Sequence, residues 1–198
     1  MKNRKQAYHI ETEKGLINDP NGLSYFKGKY YVFFQWNPNV TDHSYKVWGK
    51  TTSQDLIHWS EPVIALQASE TYDKDGTYSG SAVSDGETLS LYYTGNVKRE
   101  GVRYPEQCLA QSKDGVHFKK YGSVLSLPDD YTGHFRDPKV TKEDVWKMII
   151  GGQNKKTGKG DISQYTSIDG TSFKFNKIIG ISKQYEMIEC PDLFTLDA

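Results

Sequence analysis

Three carboxylates stand in matching surroundings along this chain. Asp19 lies in Asn18-Asp19-Pro20-Asn21-Gly22, Asp137 in Phe135-Arg136-Asp137-Pro138-Lys139, and Glu189 in Glu189-Cys190-Pro191-Asp192. A fourth polar stretch, Tyr78-Ser79-Gly80-Ser81, falls between the first two. The intervals are 60 residues from Asp19 to Ser79, 58 from Ser79 to Asp137 and 52 from Asp137 to Glu189. Proline fixes its own φ and lacks an N–H, and Asn-Gly favours a left-handed turn, so Asp19 is expected on a turn where a strand begins. In isolation such a motif reads equally well as an ordinary Asx/Pro turn. The recurrence of acids on one beat makes it a candidate site. Several carboxylates with an arginine and abundant aromatics, but no metal-ligand spacing, suit glycoside cleavage. One carboxylate attacks the anomeric carbon, a carboxylic acid protonates the leaving oxygen, and aromatic faces hold the ring.

The elements that must position these residues are strands. Helical periodicity is nearly absent, and short alternating or aromatic-rich runs bounded by turns dominate. Residues 23–26 and 30–35 flank Lys27-Gly28-Lys29 as a hairpin, followed by strands at 47–52 and 59–65. A second set is 81–84, 89–94 and 108–112; a third is 139–141, 146–150, 162–166 and 173–177. A turn motif repeats with them: Ser53-Gln54-Asp55-Leu56, Ser112-Lys113-Asp114-Gly115 and Ser167-Ile168-Asp169-Gly170, at intervals of 59 and 55 residues. Each copy is followed by an aromatic, Trp59, Phe118 or Phe173. Four-stranded units repeating at this distance predict an all-β propeller, in which the innermost strand of each blade lines a central axis. The expected blades are 15–70, 75–127 and 131–182, with the start of another at 186–198. Asp19, Ser79, Asp137 and Glu189 would then meet at one mouth of the axis.

Composition excludes other classes. The 25 basic and 25 acidic residues balance, which argues against electrostatic capture of nucleic acid or an anionic membrane surface. No apolar run is long enough for a membrane helix, and the basic start of the chain lacks a signal-peptide core, so cytoplasmic residence is expected. Cys108 and Cys190 are too few for a disulfide scaffold and lack metal-ligand spacing. Neither metal nor cofactor is expected. Aromatic residues make up 13%, which suits half-buried strands and stacking on sugar rings. Thr157-Gly158-Lys159-Gly160 has the wrong spacing for a phosphate loop.

The ordered runs NDPNG, FFQWNP, WGK, YSGSAV, EQCLAQSKDG, FRDPK and ECPDLF resemble glycoside hydrolase family 32, from about residue 8 to the end. That family holds invertases, levanases and sucrose-6-phosphate hydrolases, and its fold is a five-bladed β-propeller followed by a β-sandwich. The resemblance implies that Asp19 is the nucleophile, forming a fructosyl intermediate at C2. It implies that Glu189 is the acid and then the base, and that Asp137 holds fructose hydroxyls beside Arg136. Asn18, Gln35, Trp48, Tyr78 and Ser79 match positions that contact the sugar or the nucleophile. The implied substrate is sucrose, sucrose 6-phosphate or a fructo-oligosaccharide.

Three positions depart from the family pattern, Leu16, His43 and Lys50, and these are expected to trim the aromatic wall. Family members are also far longer, and this chain stops nine residues after Glu189. It therefore reads as an N-terminal portion with about three blades and without the sandwich, and catalysis by such a piece alone is not expected. The alternatives are an arabinan- or xylan-cleaving propeller enzyme and a non-catalytic, degenerate sugar-binding fragment. Electrostatically, Arg136 is expected to favour ionised Asp137, with neighbouring charge raising Glu189, which gives a bell-shaped pH–rate profile. His134 precedes the FRDP motif and is expected outside the pocket, with a place at its edge as the lesser alternative, and Cys190 is expected to be a small buried side chain shaping its turn. The loop Lys98 to Arg103 reads as a solvated hairpin tip, and as a candidate to hold phosphate if the substrate carries one.

Overall fold

A computed structural model describes residues 8–194 and 196. Among these there are fourteen strands and no helix. Three four-stranded antiparallel sheets follow one another, each a meander whose strands pair in chain order. The first holds β1 (Leu16–Phe26), β2 (Lys29–Asn37), β3 (Val47–Ser53) and β4 (Val63–Leu66). In the second, β5 (Thr77–Ser84) and β6 (Leu89–Gly95) are separated from β9 (Glu106–Ser112) and β10 (Lys119–Ser126) by a small hairpin. That hairpin is β7 (Lys98–Arg99) with β8 (Val102–Arg103). The third holds β11 (Tyr131–Lys142), β12 (Trp146–Asn154), β13 (Gly160–Ser167) and β14 (Lys174–Ile181). The innermost strands are β1, β5 and β11, with β5 packed between the other two.

The second sheet explains why its strands are apolar on both faces. Leu91, Tyr93 and Cys108 join Phe33, Trp48 and Leu66 of the first sheet in one core. Tyr92 and Leu109 join Phe135, Met148 and Tyr165 of the third sheet in another. Successive side chains of a strand point to opposite faces, so Leu91-Tyr92-Tyr93 supplies both cores in turn. All seven residues of β6 are buried. A strand covered on both sides reads as a continuous apolar run, and each fully buried side chain of this size contributes about 1.5–3 kcal/mol.

The repeated turns share one hydrogen-bond pattern, and two of them fasten sheet to sheet. In each, the Ser hydroxyl accepts the N–H three residues on, and the Asp carboxylate accepts the N–H two residues on. The fourth residue is left-handed each time: Leu56 at φ 65°, Gly115 at 72° and Gly170 at 77°. Gly115 lies against the Tyr31 ring of the first sheet, so closely that a β-carbon would collide with it, and Lys50 donates to its carbonyl at 2.6 Å. Gly170 meets Tyr92 of the second sheet in the same way, and the Tyr92 hydroxyl donates to its carbonyl at 2.9 Å.

Several expected elements differ in detail. The Asn18–Gly22 motif lies inside β1, not at its start. Register shifts between Asn18 and Pro20, and between Asn21 and Ser24, absorb the proline and the left-handed Gly22. Strand β10 was not anticipated because Lys119–Ser126 is polar and broken by Gly122, and it pairs only through two register shifts. Trp59 makes a single bridge to Ser53, and the fourth strand starts later, at Val63. No strand follows Ile181 among the described residues. There the backbone leans on the third sheet instead: the Gly160 N–H donates to the Tyr185 carbonyl, and Ile188 packs on Gly151.

Candidate active site

The acids owe their position to local backbone chemistry. Asp19, Asp137 and Cys190 each precede a proline, and each is left-handed, at φ 39°, 67° and 46°. The residue before proline is already restricted, and a non-glycine residue in this region costs roughly 1–3 kcal/mol. A bulge accompanies both strand positions, between Asn18 and Pro20 in β1 and between Arg136 and Lys139 in β11. Strand β5 has its own shift between Tyr78 and Gly80, around Ser79. Bulges re-aim side chains. Here they place Asp19, Ser79 and Asp137 at equivalent points of the three innermost strands.

The side chains meet in a cavity of about 290 Å³, lined by Asn18, Asp19, Gln35, Tyr78, Ser79, Arg136, Asp137 and Glu189 among others. Ser79 Oγ donates to Asp19 Oδ2 at 3.1 Å, and Lys46 Nζ donates to Asn18 Oδ1 at 2.5 Å. Buried Gln35 donates to the Thr77 carbonyl at 3.0 Å, and Asn96 donates to the Tyr78 hydroxyl at 3.2 Å. The Asp137 amide donates to Thr94 Oγ1 at 3.0 Å, and the Thr94 hydroxyl in turn donates to Gln107 Oε1 at 2.7 Å. Asp137 Oδ2 accepts the Cys190 N–H at 3.0 Å, which ties the third sheet to the segment carrying Glu189. The Arg136 guanidinium donates from Nη2 to Glu189 Oε1, and its Nε lies 4.0 Å from Asp137 Oδ2. Burial grades outward: Ser79, Gln35 and Asp137 are buried, whereas the Glu189 side chain is 59% exposed.

Burial dominates the electrostatics. It pushes the Asp137 carboxyl up to about 6, against the Cys190 amide and Arg136, which favour the charged form; Glu189 and Asp19 push it further up. Arg136 does favour ionised Asp137, as expected, but desolvation of a buried carboxylate outweighs one guanidinium at 4.0 Å. Burial likewise lowers Lys46, with Asp19 and Asp42 opposing it. Among the described residues, no group of three or more His, Cys, Asp or Glu is arranged to hold a metal.

Some sequence expectations need correction. Trp48 does not face the cavity: it is fully buried between the first two sheets, and its Nε1 donates to the Tyr78 carbonyl at 2.8 Å. It supports Tyr78 from beneath. Lys50 is no part of a pocket wall but a buried strut beneath the Gly115 turn. His134, in keeping with its reading, does not line the cavity; it contacts Arg136 Nη1 at 3.1 Å through Nδ1. Cys190 is exposed, and what it contributes is its backbone N–H and its left-handed turn. Two lining residues had not been singled out for this role. Lys46 left no signal beyond a lone lysine ahead of a buried strand. His43 had been noted only as a missing tryptophan.

The sequence model for the glycosyl hydrolases family 32 N-terminal domain matches residues 9–198. A sucrose-6-phosphate hydrolase of Bacillus subtilis is 47% identical over 200 residues, which is 97% of this chain and 42% of that protein. The structure of sucrose-6-phosphate hydrolase from Lactobacillus gasseri superposes with a TM-score of 0.89 at 36% identity, over 95% of this chain and 40% of that one. A β-fructofuranosidase of Bombyx mori gives 0.86 at 39% identity, over 96% and 41%. The chain therefore spans 36–42% of the length of the curated relatives it matches.

Proposed function

The chain belongs to glycosyl hydrolase family 32, and from that premise we propose that it carries the catalytic carboxylates of a retaining β-fructofuranosidase acting on sucrose or sucrose 6-phosphate. The observation that carries this reading is the meeting of Asp19, Asp137 and Glu189 in one sugar-sized cavity, with Ser79 fixing Asp19 and Arg136 fixing Glu189. Asp19 attacks C2 of the fructosyl unit while Glu189 protonates the departing glycosidic oxygen, leaving fructose esterified to Asp19. Glu189 then takes a proton from water, which attacks the same carbon and frees Asp19; two inversions give net retention. To deliver its proton, Glu189 has to turn off the Arg136 guanidinium toward the leaving oxygen. Buried Asp137 and Gln35 form the floor on which fructose hydroxyls rest, and hydrogen bonds to Asp137 strengthen as the oxocarbenium-like transition state develops. The same reading places the protein in the cytoplasm, where phosphorylated sugars are retained and the free thiols of Cys108 and Cys190 stay reduced.

The test is hydrolysis of both sugars, alongside calorimetry with fructose. D19N and E189Q are expected to lower turnover by about 10³-fold or more while fructose affinity stays within about threefold of the parent. Turnover unchanged in both variants would overturn the assignment. Fructose binding without turnover by the parent would fit either the inactive N-terminal portion expected from its length or a non-catalytic sugar-binding role.

A further inference from the structure

We propose that Arg103 forms an anion subsite at the rim of this cavity and holds a phosphate ester on the leaving sugar. The inference deepens the hydrolase reading and rests on it. Arg103 ends β8, in the small hairpin between β6 and β9, and it lines the same cavity as the three acids. The hairpin is anchored, not a free tip. The Tyr104 N–H closes its base on the Val97 carbonyl at 2.8 Å, and the Lys98 N–H donates to Asp75 Oδ2 at 2.6 Å. The Arg103 carbonyl lies where a β-carbon on Gly133 of β11 would stand, so the arginine backbone is seated against the third sheet.

Charge pairing singles out this residue. Of the lysines and arginines around the cavity, Lys46 bonds Asn18 and faces Asp19, and Arg136 holds Glu189 beside Asp137. Arg103 makes no ion pair among the described residues; its guanidinium stands 5.9 Å from the Tyr78 ring centre. Its charge nevertheless reaches the neighbourhood: with burial and Arg136, it lowers the pKa of His134. A guanidinium without a carboxylate partner presents a fork of donors matched to phosphate oxygens.

The burial gradient decides which half of the substrate it meets. The fructosyl unit goes to the buried end, where Gln35 and Asp137 lie, and the leaving sugar points outward past exposed Glu189. Arg103 is half-buried, between those levels. A phosphate on the outward sugar falls on its side.

Calorimetry on the full chain with sucrose and with sucrose 6-phosphate tests this, using the parent, R103Q, R103K and R99Q. Arg99 is an exposed control on the same hairpin, stacked on Tyr104 and outside the cavity. The parent is expected to bind the phosphorylated sugar about 10-fold or more tightly than sucrose. In R103Q that ratio should fall to about 1–2 through weaker binding of the phosphorylated sugar alone; R103K should keep part of it and R99Q all of it. Inorganic phosphate should compete with sucrose 6-phosphate on the parent chain and not with sucrose, a readout that needs no variant to fold. A parent that fails to discriminate, or binds neither sugar, overturns the subsite, as does an R103Q variant that weakens both sugars equally or neither. A ratio that follows Arg103, with turnover that D19N and E189Q leave unchanged, overturns the hydrolase reading and leaves the subsite standing. Sucrose hydrolysis without discrimination does the reverse.

Discussion

Asp137 answers two demands that pull against each other. Under the proposed mechanism it must be charged to hold hydroxyls against a cationic transition state, yet it sits where charge is hardest to keep. Its carboxyl titrates near 6 in the folded chain against an ordinary value of 3.8, so the neutral form favours folding. That contribution is whole below about pH 4 and is lost as pH rises through 6. Asparagine, neutral throughout, should therefore separate from aspartate as pH increases. D137N is expected to melt several degrees above the parent, about 5 °C, at pH 7.5 and to coincide with it near pH 4, as followed by thermal unfolding. A constant offset across that range would refute the burial argument. Much of this was legible in the sequence, since the beat of polar motifs named Asp19, Ser79, Asp137 and Glu189 as a set. The direction of the Asp137 shift was not, because Arg136 is visible beside it in the sequence and burial is not.

At the level of elements, the bulged strands and the Ser-x-Asp turns carry the fold. The turns were readable because three copies share one spacing and one pair of side chains. The bulges were not, because proline and Asn-Gly signal a turn unless a neighbouring strand supplies the ladder around them. Trp48 misled for a related reason: β3 is buried on both faces, so an aromatic there packs between sheets instead of facing the pocket. The turns also hold a local mismatch. Leu56 occupies the left-handed position that glycine fills in the other two copies, and it is 55% exposed. L56G should relieve about 1 kcal/mol of strain, partly offset by the greater freedom of glycine in the unfolded chain, for a net rise of about 1–3 °C in Tm. The same exchange in reverse, G115A, adds both strain and a collision with Tyr31. It should lower Tm by about 5 °C or more, and equal melting of G115A and the parent would count against the role given to these turns.

Across the whole molecule, the site depends on how neighbouring sheets are joined near the axis. Buried Ser81 of β5 donates to the Pro138 carbonyl at 2.8 Å and accepts the Val140 N–H at 2.8 Å, so one hydroxyl sets β5 against β11. Ser79 and Asp137 lie within two residues of that join. S81A strands two buried backbone groups, costing about 2–3 kcal/mol in all. It should lower Tm by about 4–10 °C and cut turnover beyond any loss in fructose affinity, measured by unfolding and calorimetry together. Retained turnover in a destabilised S81A would separate the join from the chemistry. The repeated turns have a further consequence, in time instead of space. Tyr31 precedes the Gly115 turn it receives, and Tyr92 precedes the Gly170 turn. Each clasp is therefore already made when its partner leaves the ribosome, and every new sheet can dock on a finished neighbour in the order of synthesis.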